Sequence, residues 1–220
     1  MTRIILVRHG QSEANLARRW AAGATDAKLT ALGEKQAQLL ADHLTAHEQI
    51  DAVYASPLSR ATDTVRPTAE RLGLSVIPEE GLREIYGGIW EDQPISLLRT
   101  DPRTKPDFDI WDNDLAKCRC TEGESVAEVY CRAVAAVLRL AAENDGKTLL
   151  LGSHWTPVVS ILTHVNFGDV SHIQEIFPPY NASISILRYE NGSLTVETQN
   201  FIDHLGELVT PPIKNDKTKG

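Results

Sequence analysis

Three short apolar runs, each cut off by a cluster of small and polar residues, constrain this chain more than any other feature of its sequence. Ile4-Ile5-Leu6-Val7 runs into Arg8-His9-Gly10, Ala52-Val53-Tyr54-Ala55 into Ser56-Pro57, and Leu149-Leu150-Leu151 into Gly152-Ser153-His154. Runs of three or four apolar residues with no polar face are too short for a helix and read as strands buried on both sides. Strands of that kind belong to α/β sheets, in which ligands gather at the carboxyl ends. All three runs deliver polar side chains there.

Helical spacing fills the intervals. Leu32, Ala37, Leu39, Leu40 and Leu44 recur behind Thr30, a capping residue, and predict a helix to about Ala46. Residues 58–72 predict a second helix, interrupted near Pro67 because proline lacks an N–H for the helical ladder. A long amphipathic helix is predicted over 125–142, a further strand over 74–77, and a terminal hairpin of 184–189 and 194–198 around Asn191-Gly192. Residues 84–121 lose periodicity and become rich in Pro, Asp and aromatic side chains, which reads as a cap over the strand ends. The expectation is an α/β fold: a mostly parallel central sheet with helices on both faces and a cap over the carboxyl ends of the strands. It forms one domain over residues 1–205, with the cap insertion at about 91–122 and a flexible tail at 206–220.

Composition narrows the partners. The formal net charge of -8, from 22 Lys+Arg against 30 Asp+Glu, opposes nucleic-acid binding, so an anionic ligand needs a local basic pocket. No apolar run approaches the roughly 20 residues of a membrane span, and the N-terminus lacks a secretory pattern. Three cysteines without a repeated Cys-x-x-Cys pair suggest neither a disulfide framework nor a zinc site, and a reducing, cytoplasmic setting is expected. For the same reason Asn181-Ala182-Ser183 and Asn191-Gly192-Ser193 are not read as glycosylation sites. A homo-oligomer is left open.

Arg8-His9-Gly10-Gln11-Ser12, Asn15 and Leu29-Thr30-x-x-Gly33 are followed by four further blocks in order. These are Ser56-Pro57-Leu58-Ser59-Arg60-Ala61 with Thr64, then Leu82-Arg83-Glu84 with Trp90-Glu91, then Gly123-Glu124-Ser125, and Ser153-His154. Together they resemble the histidine phosphatase superfamily, which includes cofactor-dependent phosphoglycerate mutases, over roughly residues 3 to 205. The resemblance implies a phosphoglycerate mutase-like fold, a metal-independent phosphomonoesterase working without a cofactor on a small phosphate ester, and Asn15 with backbone amides as phosphate donors.

The residue types suit that chemistry. Arg8 and Arg60 stay charged and present planar forks to phosphate oxygens, and His154 can add a donor. His9 is the candidate nucleophile that would carry a phosphohistidine, and Glu84 the acid that protonates the leaving alkoxide and then activates water. Arg83 and Glu91 are read as structural, and Arg18 and Arg19 as a solvated helix face outside the core site. His43, His47, His164 and His172 lack the spacing of metal ligands.

Departures from the family pattern fall at Gly87, at Asp92 and at Trp155, where the family usually has glycine after the second histidine. Trp155 either walls the leaving-group pocket or packs against the sheet, while Pro157 suits the first turn of a helix. A mutase carries Glu-Arg-His-Tyr-Gly at the third block, and Glu84-Ile85-Tyr86-Gly87-Gly88 lacks that charge, which favours a phosphatase. The alternatives are a cofactor-dependent phosphoglycerate mutase and a catalytically dead protein that binds phosphorylated ligands.

Overall fold

The computed structural model describes residues 1–210. In chain order the main elements are β1 (Thr2–Arg8), α1 (Glu13–Ala17), α2 (Ala31–His47), β2 (Ala52–Ala55), α3 (Ser59–Leu72) and β3 (Val76–Pro78). After these come α4 (Ile95–Leu98), α5 (Lys105–Asn113), α6 (Val126–Glu143), β4 (Thr148–Ser153), α7 (Trp155–Phe167), β5 (Ile184–Glu190) and β6 (Ser193–Phe201). One six-stranded sheet runs in the order β3-β2-β4-β1-β5-β6. The first four strands in that order are mutually parallel, whereas β5 is antiparallel to β1 and β6 to β5.

Period-2 alternation explains why the central runs are apolar throughout. Ile5 and Val7 of β1 pack with Leu40 and Leu44 of α2 and Val65 of α3, while Ile4 and Leu6 face Val137 and Leu140 of α6 and Ile161 and Leu162 of α7. Both faces are therefore covered, and each fully buried aliphatic side chain contributes about 2 kcal/mol. The helices begin where side chains satisfy their free amides. Thr30 Oγ1 accepts from Gly33 N (3.1 Å), and Ser125 and Glu128 form a reciprocal capping box. Gly33 itself is required by contact, since a Cβ there would collide with the Gln11 carbonyl oxygen. Its absence lets α2 press against the loop that follows β1.

Four expectations need correction. The helix does not break at Pro67, because α3 continues to Leu72 with Pro67 on its outer side. Only the carbonyl one turn earlier loses a partner there, and water can replace it. The third strand lies at Val76–Pro78, two residues later than its start was predicted. The aperiodic segment contains a nine-residue helix, α5, beginning at Lys105-Pro106, whose proline in the first turn suits a helix start. Residues 206–210 are not a flexible tail: Asp203–Leu208 is a 3-10 segment with Leu205 buried, and Gln36 Nε2 donates to Leu208 O (2.8 Å) and Thr210 Oγ1 (3.0 Å). The rest of the expected tail, 211–220, lies outside the described residues.

Candidate active site

β1, β2 and β4 lie side by side and parallel, so their last residues converge. Arg8 pairs in register with Ser153, His9 N donates to Ser153 O (2.9 Å), and Ser56 N donates to Gly152 O (2.9 Å). The two histidines therefore leave adjacent strands, and their ring centroids are 5.1 Å apart. A cavity of about 490 Å³ opens over these ends, with Arg8, His9, Asn15, Glu84 and Trp155 on its wall. Arg60 and His154 are not on that wall. They stand behind it, fully buried, close enough that Arg60 acts electrostatically on His9 and both arginines act on His154.

His9 Nδ1 lies 2.7 Å from Gly10 O. A carbonyl only accepts, so Nδ1 carries the proton and Nε2 is left as the acceptor. Burial, then the charges of Arg60 and Arg8, hold the His9 pKa well below 6.5. His154 is held low in the same way, first by burial and then by Arg60. Its Nε2 lies 2.7 Å from Ser56 Oγ, while its buried Nδ1 and Arg8 Nε have no hydrogen-bond partner among the described residues. Orphaned polar atoms of this kind mark a place where something polar is meant to sit.

Neither guanidinium is loose. Arg8 Nη1 donates to Pro179 O (2.7 Å), and burial pushes its pKa down to about 10, where it is still charged at neutral pH. Arg60 donates to the carbonyls of Thr25 (2.8 Å), Ala22 (3.1 Å) and Ala21 (3.3 Å). Glu91 staples that same loop by accepting from Ala22 N, Ala24 N, Thr25 N and Thr25 Oγ1. Arg83 donates to Gly23 O (2.9 Å) and pairs with Glu80. Glu84 is only 8% exposed. Its Oε1 accepts from Ile85 N (2.9 Å) and Thr156 N (3.3 Å), and Arg132 grips its carbonyl (3.1 Å).

Arg19 departs from expectation. α1 ends at Ala17, so Arg19 lies beyond the helix and on the cavity wall, ion-paired with Asp92 (2.7 Å). Asp92 takes the left-handed conformation (φ 54°), which explains why glycine suits that position. Trp155 opens α7 with its ring 5.6 Å from Trp111, another wall residue. Sequence reasoning missed Ser56 as a partner of His154, and it missed Arg132. Only the pairing of a buried carbonyl cluster with a distant arginine could have revealed the second, and that is not local information.

The two low-lying imidazoles make stability depend on acid. The unfolded chain binds protons on both rings near pH 6.5, whereas the folded chain does not until far lower, so stability falls as pH drops through that window. Each ring contributes a slope of up to about 1.4 kcal/mol per pH unit. His204, pushed down to about 4 chiefly by burial, adds to it. Urea midpoints between pH 7.5 and 5 should decline less steeply for His154→Asn than for the wild type, and an identical slope would exclude the linkage.

A parallel-centred α/β sheet with imidazoles at two adjacent strand ends and guanidiniums beside them is the architecture of a phosphate-handling enzyme. A family model for branch 1 of the histidine phosphatase superfamily matches residues 4–202. Phosphoserine phosphatase 1 of Hydrogenobacter thermophilus is 32% identical over 208 residues, covering 94% of this chain and 96% of that one. A Yersinia enterocolitica protein named "probable phosphoglycerate mutase GpmB" is 31% identical over 194 residues, 86% of each chain. The solved structure of Bacillus stearothermophilus YhfR superimposes with a TM-score of 0.86 at 26% identity, covering 93% of this chain and 100% of that one. The chain belongs to the histidine phosphatase superfamily.

Proposed function

We propose that the protein hydrolyses a small phosphomonoester through a phosphohistidine on His9, with no metal or organic cofactor. The observation that carries this reading is the state of His9. Its ring is kept neutral by burial and by two guanidiniums, and its Nδ1 proton is tied to Gly10 O, so Nε2 keeps a bare lone pair.

In the first half-reaction Nε2 attacks phosphorus opposite the ester oxygen. The N–P bond forms, the P–O bond breaks, and the leaving oxygen takes the carboxyl proton of Glu84. In the second, water attacks phosphorus, Glu84 takes its proton, and the N–P bond breaks to release phosphate. Arg8, Arg60, Asn15 and His154 stabilise the peripheral oxygens, whose charge persists through the transition state. From behind the wall, His154 feels the charge of the bound anion, which favours the protonated ring.

Phosphatase and mutase share the phosphohistidine and differ in whether water or a second hydroxyl receives the phosphoryl group. Where a mutase carries Arg-His after the glutamate, this chain has Ile85, which is buried, and Tyr86, which is half exposed. The cationic grip for a second phosphate is missing at that point, which supports hydrolysis. The three cysteines are unpaired, which supports a cytoplasmic setting. Phosphate release across a panel of metabolite esters tests the reading, and activity should survive a chelator. With 3-phosphoglycerate and 2,3-bisphosphoglycerate supplied together, isomerisation outrunning phosphate release would replace it by the mutase reading.

Trp155 limits the leaving group in this reading, together with Trp111 and the cap residues Ile95 and Leu115 on the same wall. Trp155→Gly should lower kcat/KM for esters of apolar alcohols by about tenfold relative to polar ones, since a flat apolar contact is lost. An unchanged order of preference across the panel would assign Trp155 to packing alone.

A further inference from the structure

We infer that Asn181 and Thr210 are positioning residues that turn the amide nitrogen of Asn15 toward the phosphate, so that the segment following β6 completes the active site from behind. The inference rests on the reading of Asn15 as a phosphate ligand.

Each hydrogen bond in the chain that links these residues has a determined direction. At one end Gln11 N, a backbone donor, gives to Gln36 Oε1 (2.8 Å), so Gln36 Nε2 is the atom that faces Thr210 Oγ1 (3.0 Å). The Thr210 hydroxyl, accepting there, donates onward to Asn181 Oδ1 (3.2 Å). Asn181 Nδ2 then gives one hydrogen to His9 O (3.0 Å) and the other to Asn15 Oδ1 (3.2 Å). Asn15 Oδ1 also accepts from Ser12 N (3.2 Å). Its oxygen is thereby committed on both sides, and the side-chain atom left for an anion in the cavity is Nδ2, a donor.

Asn181 is buried, and the turn it opens grips the strand that carries the site. Ala182 N donates to Arg8 O (3.0 Å) and His9 O (3.2 Å). Ala182 is held in the left-handed region (φ 56°), a conformation that is strained for a non-glycine residue and persists where surrounding contacts demand it. A wrongly turned Asn15 would present an oxygen to phosphate and repel it. The orientation is therefore worth a charge-assisted hydrogen bond, a factor of about ten in affinity.

The probe is orthovanadate, a mimic of the transferring phosphoryl group, used with p-nitrophenyl phosphate as substrate. Asn181→Asp cannot donate to Asn15, so the vanadate inhibition constant and KM should rise by about tenfold. Thr210→Val keeps shape at the remote end of the chain and should raise both by a smaller factor of about three. Asn15→Ala should raise them by about tenfold, and adding Asn181→Asp or Thr210→Val to it should produce little further change, since both act through Asn15. If the effects multiply in the Asn15→Ala background, or if Thr210→Val alters neither constant, the coupling is overturned. If Asn15→Ala itself changes nothing, the inference falls with the phosphate-ligand reading of Asn15. The test of His9 is separate and decides the phosphohistidine mechanism on its own.

Discussion

His9→Ala should lose at least about 10⁴-fold in kcat, because the residual arginines can stabilise charge but nothing replaces the attacking nitrogen. Fold should survive. The ring borders an open cavity, so its removal enlarges a solvent-accessible space rather than leaving a sealed void, and the one side-chain bond lost is that to Gly10 O. Near-unchanged far-UV circular dichroism should accompany the loss of activity. Wild-type protein quenched during turnover should carry acid-labile, base-stable phosphate, and the variant none. Retention of more than about one part in a hundred of the activity would remove His9 as nucleophile, since general acid–base effects alone span only about 10²–10⁴.

Glu84→Gln is the second large effect, and its size should depend on the leaving group. The amide keeps the shape and still accepts from Ile85 N and Thr156 N, so positioning is preserved while proton transfer is lost. For alkyl esters, whose departing oxygen needs the proton, kcat should fall by about 10²–10⁴. p-Nitrophenol leaves without assistance, so its ester should still phosphorylate His9. Hydrolysis of the phosphohistidine also needs Glu84, as a base, and should stall. The variant should therefore release p-nitrophenolate in a burst of one equivalent per site, followed by slow turnover. Equal losses on both ester types with no burst would assign Glu84 a structural role.

Legibility in the sequence followed locality. The strand ends were readable because a parallel sheet buries both faces of its inner strands, so four apolar residues and a sudden histidine announce themselves without context. The cap at Thr30 and the Asn191-Gly192 hairpin turn, with both residues at positive φ, are legible for the same reason. The break expected at Pro67 does not occur because buried Val65, Thr68 and Ala69 hold α3 together on either side of the proline. The place of Arg19 is not legible because a basic pair carries no signal of where a five-residue helix stops. Asn181 matched a glycosylation pattern, yet its amide is consumed by His9, Asn15 and Thr210, partners 172, 166 and 29 residues away. Convergence of that range is set by topology, which sequence spacing alone does not encode.

The strand order carries a last consequence, for biosynthesis. β1 is made before either of its two neighbours in the sheet, β4 and β5. Until the ribosome has added residues beyond 148, the run Ile4-Ile5-Leu6-Val7 lacks both of its native pairing partners. In that interval α2 and α3, whose Leu40, Leu44 and Val65 pack on Ile5 and Val7 in the finished fold, are early-made elements able to shield one face of the run.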